Sequence, residues 1–211
     1  LAWDRATGRP LSPAIVWQDR RAEGICHARR EAADRIAALT GLVLDPYFSA
    51  PKLRWLREYV TTEGVVTTTD TWLVHQLCGA FVTDAATASR SLVLGLDDVA
   101  WNGELLDLFS LNGEALPEIV ASDTVVGTTT AFGPDLAVTG LIVDQQAALL
   151  DRDVVRVEIL LRRGVLEPRL DLGCGRVGQP EAAHELADHA ALAVGHIEIC
   201  PCERAHEADQ P

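Results

Sequence analysis

Asp144 is the residue of this chain best placed to move a proton. It follows the apolar run Leu141-Ile142-Val143 and precedes Gln145, Gln146 and a small-residue helical start at Ala147-Ala148. A carboxylate held at the end of a rigid element, backed by hydrogen-bonding amides, is what a general base requires. The plainer reading is a helix cap, the commoner task of an Asp after a strand. A second set, His184, His189, His196, Cys200, Cys202 and His206, mixes ligand types that suit zinc. Its spacings match no structural zinc pattern, so scattered side chains are the simpler account and no metal site is assigned.

The elements that must position Asp144 are legible in part. Leu141-Ile142-Val143 reads as a short strand, as does Val125-Val126. Ile15-Val16-Trp17 is a β-rich triplet. The turn residues Asp4, Thr7, Gly8, Arg9 and Pro10 suggest a hairpin pairing it with Leu1-Ala2-Trp3. The spacing of Ile25, Ile36 and Leu39 predicts a helix from Asp19 to Leu39, ended by Gly41. Pro51 opens another, carrying Leu53, Leu56 and Val60. Thr69 or Asp70 caps a third, which Gly79 stops, and a fourth covers Gly103 to Phe109.

Bulk properties exclude several classes. The chain has 211 residues, enough for one domain with a core and a tail. Hydrophobic residues make up 48 %, a globular composition. A net charge of −13 repels phosphate backbones, so no nucleic-acid partner is expected. No apolar run is long enough to span a bilayer, and no charged-then-apolar leader precedes the domain. Five scattered cysteines, an odd number, read as reduced thiols in a cytoplasm. Of 18 basic residues only Lys52 is lysine, which reads as coding bias without functional weight. Methionine is absent even at position 1, so a fragment of a longer protein is expected.

Five segments, in order, carry a resemblance. Trp17 lies in Ala14-Ile15-Val16-Trp17-Gln18-Asp19-Arg20-Arg21. Asp45-Pro46-Tyr47-Phe48-Ser49 is followed by Lys52-Leu53-Arg54-Trp55-Leu56. Thr69-Asp70-Thr71-Trp72-Leu73, Val82-Thr83-Asp84-Ala85-Ala86-Thr87-Ala88-Ser89-Arg90 and Leu116-Pro117-Glu118-Ile119 follow. Together with Leu141–Leu150 they resemble the FGGY carbohydrate kinases in their glycerol kinase branch, from residue 1 to about 150. The resemblance implies an α/β fold: part of the first lobe of an actin-like, ribonuclease H-like ATPase, with an irregular C-terminal tail. It implies a partial kinase domain over 1–150 and a divergent or frameshifted tail of unknown fold over 151–211. The implied activity is ATP-dependent phosphorylation of glycerol to glycerol 3-phosphate, a cytoplasmic phosphotransfer to an alcohol using ATP and Mg²⁺. The alternatives are a kinase for another polyol or ketose, such as xylulose, and a non-catalytic remnant.

The same resemblance assigns roles. Trp17 would pack its indole on the glycerol carbons, and Tyr47 would offer its hydroxyl. Asp144 and Gln145 would hold the hydroxyl to be phosphorylated, with Asp144 as the base. Read singly, Trp17 and Tyr47 are equally core aromatics, and Arg20 and Arg21 are surface ion-pair formers. The family's Arg-Glu pair, its phosphate-gripping hairpin and its adenine-binding lobe have no match here, so no nucleotide-binding residue is named and the chain alone is expected to be inactive. Phe132-Gly133-Pro134-Asp135, near a regulatory loop of some members, has no arginine, so sugar-bisphosphate control is not expected. Leu170-Asp171-Leu172-Gly173-Cys174-Gly175-Arg176-Val177-Gly178 is similar to a methyltransferase motif. Only 33 residues follow it, too few for the sheet it needs.

Overall fold

The computed structural model describes residues 1–144, 146 and 147. Gln145, the glycine-rich segment from Leu170 and the His/Cys set from His184 lie outside the described residues. Among the described residues, Leu1–Thr69 with Ala88–Leu116 form one compact unit, and Asp70–Thr87 with the chain from Pro117 onward form a second. No described helix is long and apolar enough to cross a membrane.

In the first unit, β1 (Ala2–Trp3) pairs antiparallel with β2 (Val65–Val66), Ala2 opposite Val66 and Trp3 opposite Val65. The expected partner, Ile15-Val16-Trp17, is therefore not the one used. Trp3 is fully buried and its indole N–H donates to Thr67 Oγ1 at 2.8 Å, so satisfying that donor in the core sets the register on β2. The turn itself is present. Asp4 Oδ1 accepts from the Ala6 N–H at 2.8 Å, Trp3 bridges Pro10, and the Leu11 N–H donates to Ala2 O. The loop thus closes five residues before Ile15 is reached.

The single helix expected over 19–39 is three pieces: α1 (Glu23–His27), a 3₁₀ turn (Arg30–Ala32) and α2 (Ala33–Thr40). The break falls at Arg29, whose guanidinium donates back to the Ile25 carbonyl at 3.0 Å and also to the Leu108 carbonyl beside the Phe109 ring, a tertiary pull that local propensity does not contain. Gly41 ends α2 at φ 69°, as expected. Helix α3 (Ser49–Tyr59) has Pro51 in its first turn and buries Ala50, Leu53 and Leu56. These join Ile25, Ile36, Phe48, Leu92, Leu105 and Phe109 in one core.

In the second unit, α4 (Thr69–Cys78) starts at Thr69 rather than after it. Asp70 accepts from the Thr83 hydroxyl at 2.6 Å, a contact across the unit. Gly79, at φ 76°, stops the helix. Strand β3 (Val82–Asp84) runs into α5 (Ala85–Ser89), after which the chain re-enters the first unit. There β4 (Leu94–Gly95) pairs with β5 (Ala100–Trp101), and α6 (Gly103–Leu108) begins at Asn102, whose Oδ1 accepts from the Leu105 N–H. Back in the second unit, β6 (Glu118–Val120) lies parallel to β3, a pairing that needs a long crossover and marks the chain as α/β. Strands β7 (Gly127–Thr129) and β8 (Leu136–Val138) form a hairpin. Strand β7 starts after the expected Val125-Val126, although the Val126 N–H still donates to Val138 O at 3.0 Å. Leu141–Val143 forms no ladder. One bond, Leu141 N–H to Ser122 O at 2.9 Å, fixes it instead.

Gly64 shows how tightly β1 lies on its neighbours. Its φ is 63°, and an added Cβ would drive into the Trp3 carbonyl and stand 2.8 Å from Leu11 Cδ1. Gly64→Ala should cost at least about 2 kcal/mol in urea unfolding, since both the backbone conformation and the space oppose it. An unchanged midpoint would contradict this packing of β1.

Candidate active site

Trp17 and Tyr47 are not core residues. They are 59 % and 38 % exposed, yet their rings meet at 5.4 Å between centroids with planes tilted by 58°. The ordinary expectation, that lone aromatics are core, is thereby set aside for both. A turn presents Tyr47. The Asp45 carboxylate accepts from the Tyr47 N–H at 2.7 Å, and the Asp45 carbonyl accepts from the Phe48 N–H at 3.3 Å. Phe48 then buries its ring beneath, edge-on to Tyr47 at 5.1 Å. Arg90 flanks the pair, its guanidinium 5.6 Å from the Tyr47 ring and 5.0 Å from Phe48. The Ser91 carbonyl accepts from the Ala50 N–H at 2.8 Å, and Leu92 is fully buried at φ 68°, a left-handed conformation costly for leucine. Core burial of Leu92 holds the strained turn that aims Arg90.

Beneath the rings lies Lys52, only 6 % exposed. Its Nζ donates to the Pro46 carbonyl, to Tyr47 O at 3.3 Å and to Trp17 O at 3.4 Å. Burial pulls its ammonium down to about 8, partly opposed by Asp19 and Asp45. Burial likewise pushes the neighbouring Cys26 thiol up to about 11, with Asp45 adding to it. For Asp19 burial acts upward, but hydrogen bonds from the Arg21 side chain and N–H outweigh it, and the carboxyl sits below its usual range. Arg21 also lies over Trp55 at 4.8 Å, while Arg20 reaches Glu23 at 3.1 Å and Asp45 at 3.9 Å. Lys52 and Arg90 carry no assigned role in the sequence reading. The available signal for Lys52 was its singularity. In a chain that otherwise uses arginine, a lysine marks a place where a compact ammonium fits and a planar guanidinium does not.

Asp144 belongs to the second unit and is exposed. A short polar relay places its segment. Asp84 is fully buried at the end of β3, caps α5 through the Ala86 and Thr87 N–H groups, and accepts from Ser122 Oγ at 2.7 Å. The Ser122 carbonyl takes the Leu141 N–H, and Leu141 packs with Val74 and Val82. From there the Ala147 N–H donates to Val143 O at 3.0 Å, one helical turn opening at Asp144. Asp144 is thus delivered at a helix start by a fixed segment, as expected, though that segment is not a strand.

A separate open groove of about 520 Å³ lies between α1, α2 and residues 43–46. Arg20, His27 and Arg30 face Glu23, Asp34 and Asp45 there, a mixed lining that selects no charge type, and Trp17 and Tyr47 are not part of it.

Residues 1–150 match the N-terminal domain of the FGGY family of carbohydrate kinases. The chain belongs to the FGGY family. A glycerol kinase of Thermus brockianus is 46 % identical over 164 residues, 71 % of this chain and 33 % of its own length. The glycerol kinase of Alcanivorax borkumensis is 38 % identical over 210 residues, 93 % of this chain and 41 % of its own. A crystal structure of Plasmodium falciparum glycerol kinase with ADP superposes at a TM-score of 0.67 with 30 % identity, over 71 % of this chain and 33 % of that one. The chain therefore spans about a third to two fifths of the length of these curated relatives. Its α/β fold is that of part of the first lobe of these FGGY kinases, which share the actin-like, ribonuclease H-like architecture.

In this FGGY chain, no group of His, Cys, Asp or Glu among the described residues converges to hold a metal ion. What the described residues do supply is an aromatic wall and a carboxylate.

The ammonium under that wall makes stability depend on pH in a defined direction. Lys52 holds its proton less tightly folded, at about 8, than its ordinary 10.5. The cost of burying its charge is therefore fully present below pH 8 and is relieved as pH rises from 8 to 10.5. Relative to Lys52→Met, the native chain should gain on the order of 2 kcal/mol across that window in paired unfolding curves. A constant difference between the two proteins would contradict the buried ammonium.

Proposed function

We propose that this chain carries the acceptor-binding part of an ATP-dependent polyol kinase, with glycerol as the acceptor. The observation that supports it most is the Trp17–Tyr47 ring pair, solvent-exposed yet seated on Phe48 and Lys52. A buried foundation under an exposed aromatic face suits a small molecule with one apolar side and several hydroxyls. The curated relatives are named glycerol kinases, and the solved relative holds ADP. In this reading the Trp17 indole covers the acceptor carbons and the Tyr47 hydroxyl takes one substrate oxygen. Asp144 and Gln145 hold the reacting hydroxyl, and Asp144 receives its proton as that oxygen becomes a nucleophile. A cytoplasmic setting agrees with the thiols Cys26 and Cys78, which are free.

The acceptor reading is tested by titrating glycerol against the chain and following intrinsic fluorescence. Saturable quenching or enhancement is expected, weakened about tenfold or more in Tyr47→Ala and Trp17→Ala, the cost of one lost apolar or hydrogen-bonded contact. No response to glycerol, or a response to xylulose alone, would move the substrate elsewhere. Asp144→Asn separates binding from chemistry. It should keep glycerol affinity near native while lowering glycerol-dependent ADP release, in any form that turns over, by on the order of 10²–10⁴. Near-normal turnover would remove Asp144 from the role of base.

A further inference from the structure

The segments bearing Trp17 and Tyr47 are irregular, and no ladder joins them. Two links between them are plain at the surface: the ring contact itself and the Arg20–Asp45 ion pair at 3.9 Å, whose partners are 57 % and 36 % exposed. An exposed pair of that length contributes little. Lys52 is the buried link. Its Nζ reaches Trp17 O, 35 residues away, and Pro46 O and Tyr47 O on the facing turn. An ammonium has three N–H donors, and three carbonyls receive them.

We propose that Lys52 is the positioning residue of the acceptor wall, its ammonium tying the main chain of Trp17 to that of Pro46 and Tyr47 and so setting the spacing of the two rings. The consequence for glycerol rests on the acceptor reading above; the tie between the two segments does not. Three features favour a tie over a residual charge. The nitrogen sits among backbone acceptors, and among the described residues it forms no direct ion pair. Lys52 is buried with Leu53 and Leu56 on α3, so its nitrogen meets its donors' needs inside the protein rather than in water. A guanidinium is a planar fork and cannot direct its donors to three carbonyls converging on one point.

The charged and titratable groups facing the ammonium are Asp19 before α1, Arg20, Cys26 on α1 and Asp45 in the turn. Asp19 sits below its usual range and Cys26 at about 11, so neither changes charge between pH 7 and 9.5. Lys52 does, at about 8. Its neutral amine has two N–H groups for three carbonyls, so one of the two longer contacts, to Tyr47 at 3.3 Å or to Trp17 at 3.4 Å, is left without a donor.

The test uses the 211-residue chain. The emission of Trp17 is obtained as the difference between the native chain and Trp17→Phe, and its quenching by acrylamide is followed from pH 7 to 9.5. The native chain should show one step centred near pH 8. Lys52→Met and Lys52→Arg should lose the step and leave Trp17 more open to quencher at pH 7, with far-UV circular dichroism unaltered. Failure of Lys52→Arg to restore native quenching separates a tie from a mere requirement for positive charge. Glycerol affinity should fall about tenfold in both variants, the loss expected for one charged hydrogen bond. If Lys52→Met does not fold, Lys52→Arg and the native titration carry the test. A flat native profile, or native quenching in Lys52→Arg, overturns the proposal. A native chain that shows the step but ignores glycerol overturns the acceptor reading and leaves the tie standing.

Discussion

Main-chain carbonyls that no sheet or helix engages must find donors elsewhere, and around the aromatic face of this chain the donor is Lys52. The segments around Trp17 and Asp45 are irregular because they must present rings to solvent rather than bury them. Irregular backbone costs conformational entropy that apolar packing of its own side chains would normally offset. Here the packing is supplied by Phe48 and α3 below, and the polar requirement by one ammonium. Charging a buried nitrogen is unfavourable, and its depressed affinity for a proton records that cost. Asp19 and Asp45 ease it without touching it directly.

The same economy recurs wherever a chemically useful side chain leaves the core. Among the described residues the sheets are two-stranded, so ladders alone cannot hold the connecting segments. Single polar links take over. Leu92 anchors the left-handed turn beside Arg90, and Ser91 ties that turn to the start of α3. Asp84 caps α5 and grips Ser122, whose carbonyl then holds Leu141 ahead of Asp144. Each link pairs a buried group with a backbone or hydroxyl partner, the arrangement in which a hydrogen bond is worth most and its loss costs most.

Membership of the FGGY family places these parts in a larger scheme. The chain corresponds to about a third of its curated relatives, and the described residues lie within the matched N-terminal domain. In phosphoryl transfer, orientation of both reactants together supplies most of the rate.

Periodicity and end signals were enough to locate α3, α4 and α6, because glycines at positive φ, a first-turn proline and spaced apolar residues act locally. The order of short motifs around Trp17, Tyr47 and Asp144 was enough for the family. Pairing was not legible. The partner of β1 depended on where the Trp3 indole could bury its N–H, and the break at Arg29 depended on a carbonyl 79 residues away. Nor could spacing show that Trp17 and Tyr47 touch, that Lys52 lies beneath them, or that Leu92 is forced left-handed. Those are consequences of long-range burial. A donor buried among carbonyls is decided by which segments the core brings together, and a one-dimensional pattern holds no record of that.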